Sequence, residues 1–222
     1  WTAILVKAGV GLIGTNWVIL PVLGERVFPL HLPGIDAKEA GTIGMSVLLG
    51  SRGAGAFMGS FVSAAAARAH SDGLRKYILL GMVLAGTGYL LLGNAPWQFG
   101  AYLSVMIAHA GGSIAWVSST NLLQKVTEDK FRGRVFSAEY AFAMLTLASV
   151  NWIASLLIDS GFSAQRVAVF TGIAQLLPAL LWFGIVYVGS LLALLLQSFF
   201  YIDDFSGMVV HEFTLRTYGE LF

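Results

Sequence analysis

Residues 40–67 read AGTIGMSVLLGSRGAGAFMGSFVSAAAA, an apolar run of mostly small residues with Arg52 near its middle. Roughly 20 helical residues, each rising 1.5 Å, cross the hydrocarbon core of a bilayer, so this run is long enough to span one. A guanidinium keeps its charge in a protein, and placing one at the bilayer centre costs about 2.5–3.5 kcal/mol on insertion scales. Such a side chain normally faces a helix-bundle interior or a watery cavity. Arg52 therefore predicts membrane transport rather than a purely structural span.

Composition supports a membrane protein. The 222-residue chain is 57% hydrophobic and 11% charged, with a mean hydropathy of +0.77, whereas ordinary soluble domains are about 25% charged. The net charge of +1 argues against a nucleic-acid partner, which would require a basic face. Membrane lipids are the expected surroundings.

The residue types that carry enzyme chemistry are sparse. Cysteine is absent, so the chain has no disulfide framework and no thiolate ligand or nucleophile. The four histidines are scattered without metal-ligand spacing or a nucleophile–base pair. We expect no enzymatic activity, no catalytic residue, no metal and no cofactor.

Six apolar segments predict an all-α membrane protein with six transmembrane helices. They cover about Ile4–Gly24, Ala40–Ala67, Tyr77–Gly93, Trp97–Leu122, Val135–Ile158 and Ser163–Val188. We therefore divide the chain into a transmembrane bundle over residues 1–188 and a second part over residues 189–222. The second part is predicted to be an interfacial segment and a cytoplasmic tail, with a misread or spliced terminus as the alternative. Because the chain opens on Trp1 without a signal peptide, we expect a fragment or processed product whose natural start lies upstream.

The positions of basic residues predict the orientation, because cytoplasmic loops carry an excess of Lys and Arg. The connections after the second and fourth predicted helices hold seven basic residues, whereas the alternate connections hold three. The seven are Arg68, Arg75, Lys76, Lys125, Lys130, Arg132 and Arg134. Both termini are therefore expected in the cytoplasm of a cell whose plasma (inner) membrane the chain spans several times.

Two local features complete the residue-level interpretation. Gly9–Gly14 reads GVGLIG and fits a dinucleotide-binding fingerprint, but it lies inside an apolar run, so we interpret its glycines as helix-packing residues. The same packing role is predicted for Gly55, Gly59, Gly81, Gly88, Gly111 and Gly112. In the charged loop predicted over Gln124–Arg134, Thr127 is expected to be the N-cap of a short surface helix.

Three segments carry a resemblance to a known family. Gln124–Ser137, reading QKVTEDKFRGRVFS, resembles the segment before the eleventh helix of major facilitator superfamily exporters, in the branch of the enterobactin exporter and related drug-efflux permeases. Val6–Phe28 resembles the seventh helix of that branch, and Ser51–Ala56 resembles the start of its eighth. Residues 6–188 thus resemble the C-terminal six-helix half of a twelve-helix transporter, whereas the tail from Gly189 resembles nothing in the family.

The resemblance implies which residues line a central cavity. In that family the first and fourth helices of this half line the cavity and the second and fifth flank it. The substrate or coupling candidates are accordingly Asn16, Arg52, His109, Trp116 and Glu139. The cytoplasmic gate or anchor candidates are Arg68, Arg75, Lys76, Arg132 and Arg134.

Several of these candidates have open alternatives. Each polar residue within a span could instead make a structural hydrogen bond between helices. Glu139 could pair with Arg134 or a loop arginine, and Lys7 could reach the membrane surface by snorkelling. His109 or Glu139 could carry a proton, and Trp17 or Trp116 could stack on a flat substrate.

The leading hypothesis is half of a secondary transporter that works with a missing N-terminal six-helix half. A small molecule would bind near the middle of the membrane and leave by proton-coupled efflux through alternating access. The alternative is a transport-incompetent helical module or truncated product that acts as a scaffold. The coding region upstream of Trp1 would discriminate between them.

The absence of cysteine offers a direct test of the Arg52 argument. Arg52→Cys, the only thiol in the resulting chain, should react with a membrane-impermeant maleimide because water reaches this position. Labelling is measured by mass spectrometry in intact vesicles, with the unmodified chain as the blank and detergent-denatured protein as the full-labelling reference. No labelling from either side in any conformational state would contradict a water-accessible position.

Overall fold

The computed structural model describes residues 2–66, 71–183, 189–202 and 209–210. Nearly all of these described residues are helical. The helices are α1 (Thr2–Gly11), α2 (Asn16–Arg26), α3 (Ala37–Ala66), α4 (Ser71–Gly93), α5 (Gln98–Val126), α6 (Asp129–Asp159), α7 (Ala164–Phe183) and α8 (Gly189–Gln197). Two short antiparallel strands, β1 (Tyr201–Ile202) and β2 (Val209–Val210), pair Tyr201 with Val210.

The first predicted helix forms as two α-helices joined by a 3₁₀ turn. Leu12–Thr15 makes this turn between α1 and α2. Pro21 lies inside α2, where it has no N–H to donate to the carbonyl four residues earlier. The apolar run is therefore one helical path that a 3₁₀ turn interrupts.

Local chemistry defines the start of α3. Gly34 takes a positive φ of +83° in the turn before it, a conformation that glycine adopts without strain. Asp36 and Glu39 then cap the helix reciprocally. The Glu39 amide donates to Asp36 Oδ1 over 2.7 Å, and the Asp36 amide donates to Glu39 Oε2 over 3.2 Å. This capping box satisfies two donors that would otherwise lack a partner.

Glycines allow α5 to pack closely against α3 and α4. Gly55 and Gly59 of α3 face Met106 and Ala110 of α5. On the other side, a Cβ added at Gly88 of α4 would lie 2.5 Å from the backbone nitrogen of Ala108. These positions confirm the predicted packing role, because any side chain there would push the helices apart.

The glycines of α1 and the 3₁₀ turn pack against α6. A Cβ at Gly11 would lie 3.2 Å from the Ala143 carbonyl oxygen, and one at Gly14 would lie 3.0 Å from the Leu147 side chain. The fingerprint-like segment therefore lies in a helical path and not in a strand–turn–helix unit. Its interpretation as a packing segment is confirmed.

The predicted charged loop between the fourth and fifth helices is wrong. The fourth predicted helix extends to Val126 and the fifth starts at Asp129, so only Thr127 and Glu128 connect α5 to α6. Thr127 is not an N-cap: it follows the end of α5, and its amide donates to the Leu123 carbonyl over 3.1 Å. The charged residues of this region therefore lie mostly within the end of α5 and the start of α6. Asp129 is in the first turn of α6, where it interacts favourably with the helix dipole.

Three of the described helices are long and apolar enough to cross a membrane: Gly73–Gly93, Gln98–Val126 and Asp129–Asp159. The prediction of six spans is therefore met only in part. The first predicted span is interrupted by the 3₁₀ turn. In α3, the small polar residues and Arg52 lower the hydropathy.

The chain divides into two compact units, Trp1–Ala179 and Leu180–Phe222. The first contains the main apolar core, built around Ile19, Leu20, Leu48, Tyr89 and Val105. The second contains α8 and the strand pair. The domain boundary predicted at residue 188 lies outside the described residues, as do residues 203–208 and 211–222 of the predicted tail.

Adding a side chain at the α4–α5 contact should weaken the fold. We expect Gly88→Ala to lower the free energy of unfolding by about 1–3 kcal/mol, because its methyl group would displace the Ala108 backbone. Gly53→Ala is the matched control, since nothing lies within 4 Å of that position. The measurement is thermal unfolding in detergent, and equal stability of the two variants would contradict the close contact.

Candidate functional site

A cavity of about 260 Å³ opens in the first compact unit. Its walls come from α1, the 3₁₀ turn, α2, α3, α5 and α6. The lining residues are Val10, Gly11, Ile13, Gly14, Asn16, Trp17, Arg52, Ala56, His109, Gly112, Ser113, Trp116 and Leu147. Four of the five predicted cavity residues, Asn16, Arg52, His109 and Trp116, are thus brought together, and Glu139 is not among the lining residues.

Arg52 reaches this cavity from the middle of α3. Its guanidinium carbon lies 4.3 Å from the ring centre of Trp17, a cation–π distance. Its Nε is buried without a hydrogen-bond partner. In the described ranges no carboxylate pairs with Arg52, so its positive charge is available to a ligand.

His109 is part of a hydrogen-bonded group on the cavity wall. Its Nε2 lies 3.1 Å from the hydroxyl of Tyr89, and that hydroxyl lies 3.2 Å from the Ile13 carbonyl oxygen. The phenol has one hydrogen, so when it donates to Ile13 its oxygen can accept from His109 Nε2. Tyr89 is fully buried and His109 nearly so. This group connects α4 and α5 to the 3₁₀ turn.

Asn16 is a polar residue of the cavity lining. Its amide nitrogen donates to the Ile13 carbonyl over 2.7 Å. Its Oδ1 is buried and has no hydrogen-bond partner. A buried acceptor without a partner costs about 1–3 kcal/mol, so a ligand or water that donates to Oδ1 would be stabilised here.

Glu139 lies in a separate buried cluster with Lys7. Its Oε1 is 3.6 Å from Lys7 Nζ, and both side chains are 4% exposed. Lys7 Nζ also donates to Thr120 Oγ1 over 2.7 Å and lies 3.7 Å from the ring centre of Trp116. Of the alternatives left open by the sequence, Glu139 pairs with neither Arg134 nor a loop arginine in the described residues, and Lys7 is buried and does not snorkel. The two opposite charges neutralise each other inside the bundle instead.

The predicted gate and anchor residues are not gathered at the cavity. Arg75, Lys76, Arg132 and Arg134 are exposed, and Arg68 lies outside the described residues. Arg132 pairs with Asp129 over 2.7 Å and donates to the Gln124 carbonyl over 3.2 Å. It therefore ties the start of α6 to the end of α5.

Sequence reasoning missed the roles of Lys7, Tyr89 and Thr120. One signal was available: Lys7 and Glu139 are opposite charges within apolar segments, where an unpaired charge is expensive. Tyr89 and Thr120 gave no such signal, because an uncharged side chain within an apolar segment does not require a counter-charge. The described part of the chain contains no group of three or more His, Asp or Glu side chains suited to a metal ion.

Comparison with known proteins gives one short similarity. Over 47 residues the chain is 55% identical to the inner membrane ABC transporter permease protein YdcU of Escherichia coli (strain K12). This stretch is 21% of the chain and 15% of that protein. No family model matches the chain, and no solved structure matches it. The chain is thus similar, over a short stretch, to a membrane transport protein, and the comparisons do not show the major facilitator superfamily.

Removing the Tyr89 hydroxyl should destabilise the cavity wall. In Tyr89→Phe, His109 loses a buried hydrogen-bond partner, which costs about 1–3 kcal/mol. Tyr140→Phe is the matched control, because Tyr140 is 58% exposed. Unfolding of both variants is followed in detergent, and an unchanged stability of Tyr89→Phe would show that the hydrogen bond has no net value.

Proposed function

We propose that this chain is part of a secondary transporter that moves a small molecule across the inner membrane by alternating access. The observation that carries the proposal is Arg52, a charged residue without a carboxylate partner in the described ranges, at a cavity between apolar helices. An unneutralised cation in such surroundings is costly unless a ligand or water compensates it. A transported anion supplies that compensation.

The cavity favours a flat, anionic substrate. Arg52 would bind the anionic group through charge-assisted hydrogen bonds. Trp17 and Trp116, which contribute to the lining, would contact an aromatic ring, since aromatic pairs favour stacked or edge-to-face packing. Asn16 Oδ1 would accept from a hydroxyl or amine of the substrate. The cavity of about 260 Å³ suits a small ring system, although it is slightly below the usual range for drug-sized ligands.

The origin of the cavity walls supports a half-transporter of the major facilitator type. The lining residues come from the segments predicted as helices 1, 2, 4 and 5, which are the helices that the resemblance places at or beside the central cavity. In this proposal an N-terminal six-helix half closes the other side, both termini are cytoplasmic, and proton movement drives efflux. Arg75, Lys76, Arg132 and Arg134 would anchor the cytoplasmic face to lipid phosphates.

A second candidate function is the membrane subunit of an ABC-type permease. The short similarity to a protein named as such a permease favours it. Transport in that case requires an ATPase subunit and ATP. The two candidates share the membrane location and the transported ligand, and they differ in the energy source.

A permanently charged aromatic anion tests the proposed site. We expect the purified full chain to bind naphthalene-2-sulfonate, and Arg52→Ala to weaken binding by about tenfold or more, because a charge-assisted hydrogen bond contributes about 1.5–3 kcal/mol. Arg166→Ala is the matched control, since Arg166 is exposed at the start of α7. Binding is measured by the fluorescence anisotropy of the probe.

Flux measurements then separate the candidates. The chain in liposomes, with its partner half where the gene encodes one, should move the probe in response to an imposed pH gradient. Dependence on ATP and an added ATPase subunit would favour the permease instead. Equal binding by Arg52→Ala and the unmodified chain would contradict the proposed site. Absence of flux from correctly inserted protein would favour a scaffold.

A further inference from the structure

We infer that Glu139 is the proton-carrying group of this chain, and that proton uptake opens its ion pair with Lys7 and so releases α6. This inference rests on the proposed transport function. The sequence left two candidates for the proton carrier, His109 and Glu139, and the inference selects Glu139. It also gives Lys7 a role that no sequence pattern assigned to it.

The ammonium of Lys7 has more contacts than the Oε1 atom of Glu139. Lys7 Nζ has a hydrogen bond to Thr120 and lies over the Trp116 ring, so α5 holds the ammonium in place. Glu139 Oε1 is buried and has no hydrogen-bond partner, and its 3.6 Å distance from Lys7 is longer than a hydrogen bond. The carboxylate is therefore held by charge alone at this atom, and neutralising it removes that attraction while Lys7 stays on α5.

Among the described residues, no other charged side chain takes the place of Lys7 as the counter-charge of Glu139. From α1 the contact is Lys7 itself, and from α5 the groups beside the ammonium are the uncharged Thr120 and Trp116. On α6, Arg132 pairs with Asp129 and Arg134 is exposed. His109 has Tyr89 as its partner, and it serves as a structural member of the cavity wall. The Lys7–Glu139 pair is thus a two-charge system within the described residues.

The Lys7–Glu139 pair joins α6 to α1. In this 31-residue helix the buried residues are Glu139, Ala143 and Ala154. Gly11 of α1 packs against the Ala143 backbone and the Thr146 side chain, and the connection to α5 is two residues long. Few side chains of α6 are buried, so the close contacts of Gly11 and Gly14 and this ion pair hold it against α1 and the 3₁₀ turn, and opening the pair weakens that packing.

The proton balance of the step is simple. The Glu139 carboxylate takes one proton from water on one side of the membrane and becomes a neutral carboxylic acid. Lys7 keeps its charge and its contacts with Thr120 and Trp116. After α6 has moved, the acid releases the proton to water on the other side and the ion pair re-forms. Trp116 also lines the cavity, so Lys7, held over its ring, loses its counter-charge beside the proposed ligand site.

Carbodiimide labelling tests the inference without any substrate. Dicyclohexylcarbodiimide reacts with a protonated carboxyl in apolar surroundings: the acid proton moves to a carbodiimide nitrogen, and the carboxylate adds to the central carbon. We expect labelling of Glu139 in the full chain to be about tenfold greater near pH 6 than near pH 9, because burial favours the neutral acid at the lower pH whereas Lys7 favours the ionised form at the higher pH. Modification is located by peptide mass spectrometry.

Two variants of Lys7 separate a proton-controlled pair from a merely structural one. Lys7→Met should raise labelling near pH 9 to the level seen near pH 6, since a buried carboxylate without a counter-charge is costly. Lys7→Arg should restore the pH dependence. Glu128→Gln is the matched control, because Glu128 pairs with Lys130 at an exposed position. Equal labelling of Glu139 near pH 6 and near pH 9 would overturn the inference. So would labelling near pH 9 that is no greater in Lys7→Met than in the unmodified chain.

A flux experiment distinguishes this inference from the transport proposal. In liposomes, Glu139→Gln should still exchange internal for external naphthalene-2-sulfonate but should lose its response to a pH gradient. Retained gradient-driven flux in this variant would overturn the role of Glu139. Absence of all flux in the unmodified chain would contradict the transport proposal, and the labelling result would still decide the inference.

Discussion

Close contact between helix backbones is the constraint on which this structure depends. Helices surrounded by lipid gain little from apolar burial alone, so van der Waals contact and hydrogen bonds must hold them together. Here α5 makes that contact on two sides, with Gly55 and Gly59 of α3 and with Gly88 of α4. The position of α5 then fixes His109 and Trp116, and with them the cavity. Loss of this contact would affect the site as well as the fold.

Charges inside the bundle fall into two groups with different consequences. Lys7 and Glu139 neutralise each other in a buried pair, whereas Arg52 has an aromatic ring and no carboxylate beside it within the described residues. Trp116 belongs to both surroundings, because it lies under Lys7 and lines the cavity. This shared side chain gives a physical path by which a ligand near Arg52 and a proton at Glu139 would influence each other.

Much of this architecture could be predicted because membrane helices depend on local patterns. Apolar length predicted most helix bounds to within a few residues, and small residues predicted the contacts of Gly11, Gly55 and Gly88. The charged turns around Thr127 were mispredicted, since hydropathy marks the membrane boundary and helices continue beyond it. The arginine partner suggested for Glu139 was also wrong, because pairing between distant helices depends on their rotation, which one sequence does not specify. The family resemblance and the proton coupling remain proposals.

The 3₁₀ turn at Leu12–Thr15 has a mechanical consequence. A break in a helix within lipid leaves carbonyl groups in need of donors, and here the Ile13 carbonyl receives them from the Asn16 amide and the Tyr89 hydroxyl. These donors are on side chains, which can rotate to follow the carbonyl. The break in the helix can therefore exist in apolar surroundings without an unsatisfied oxygen at Ile13, and it sets the direction of the wall that carries Asn16 and Trp17.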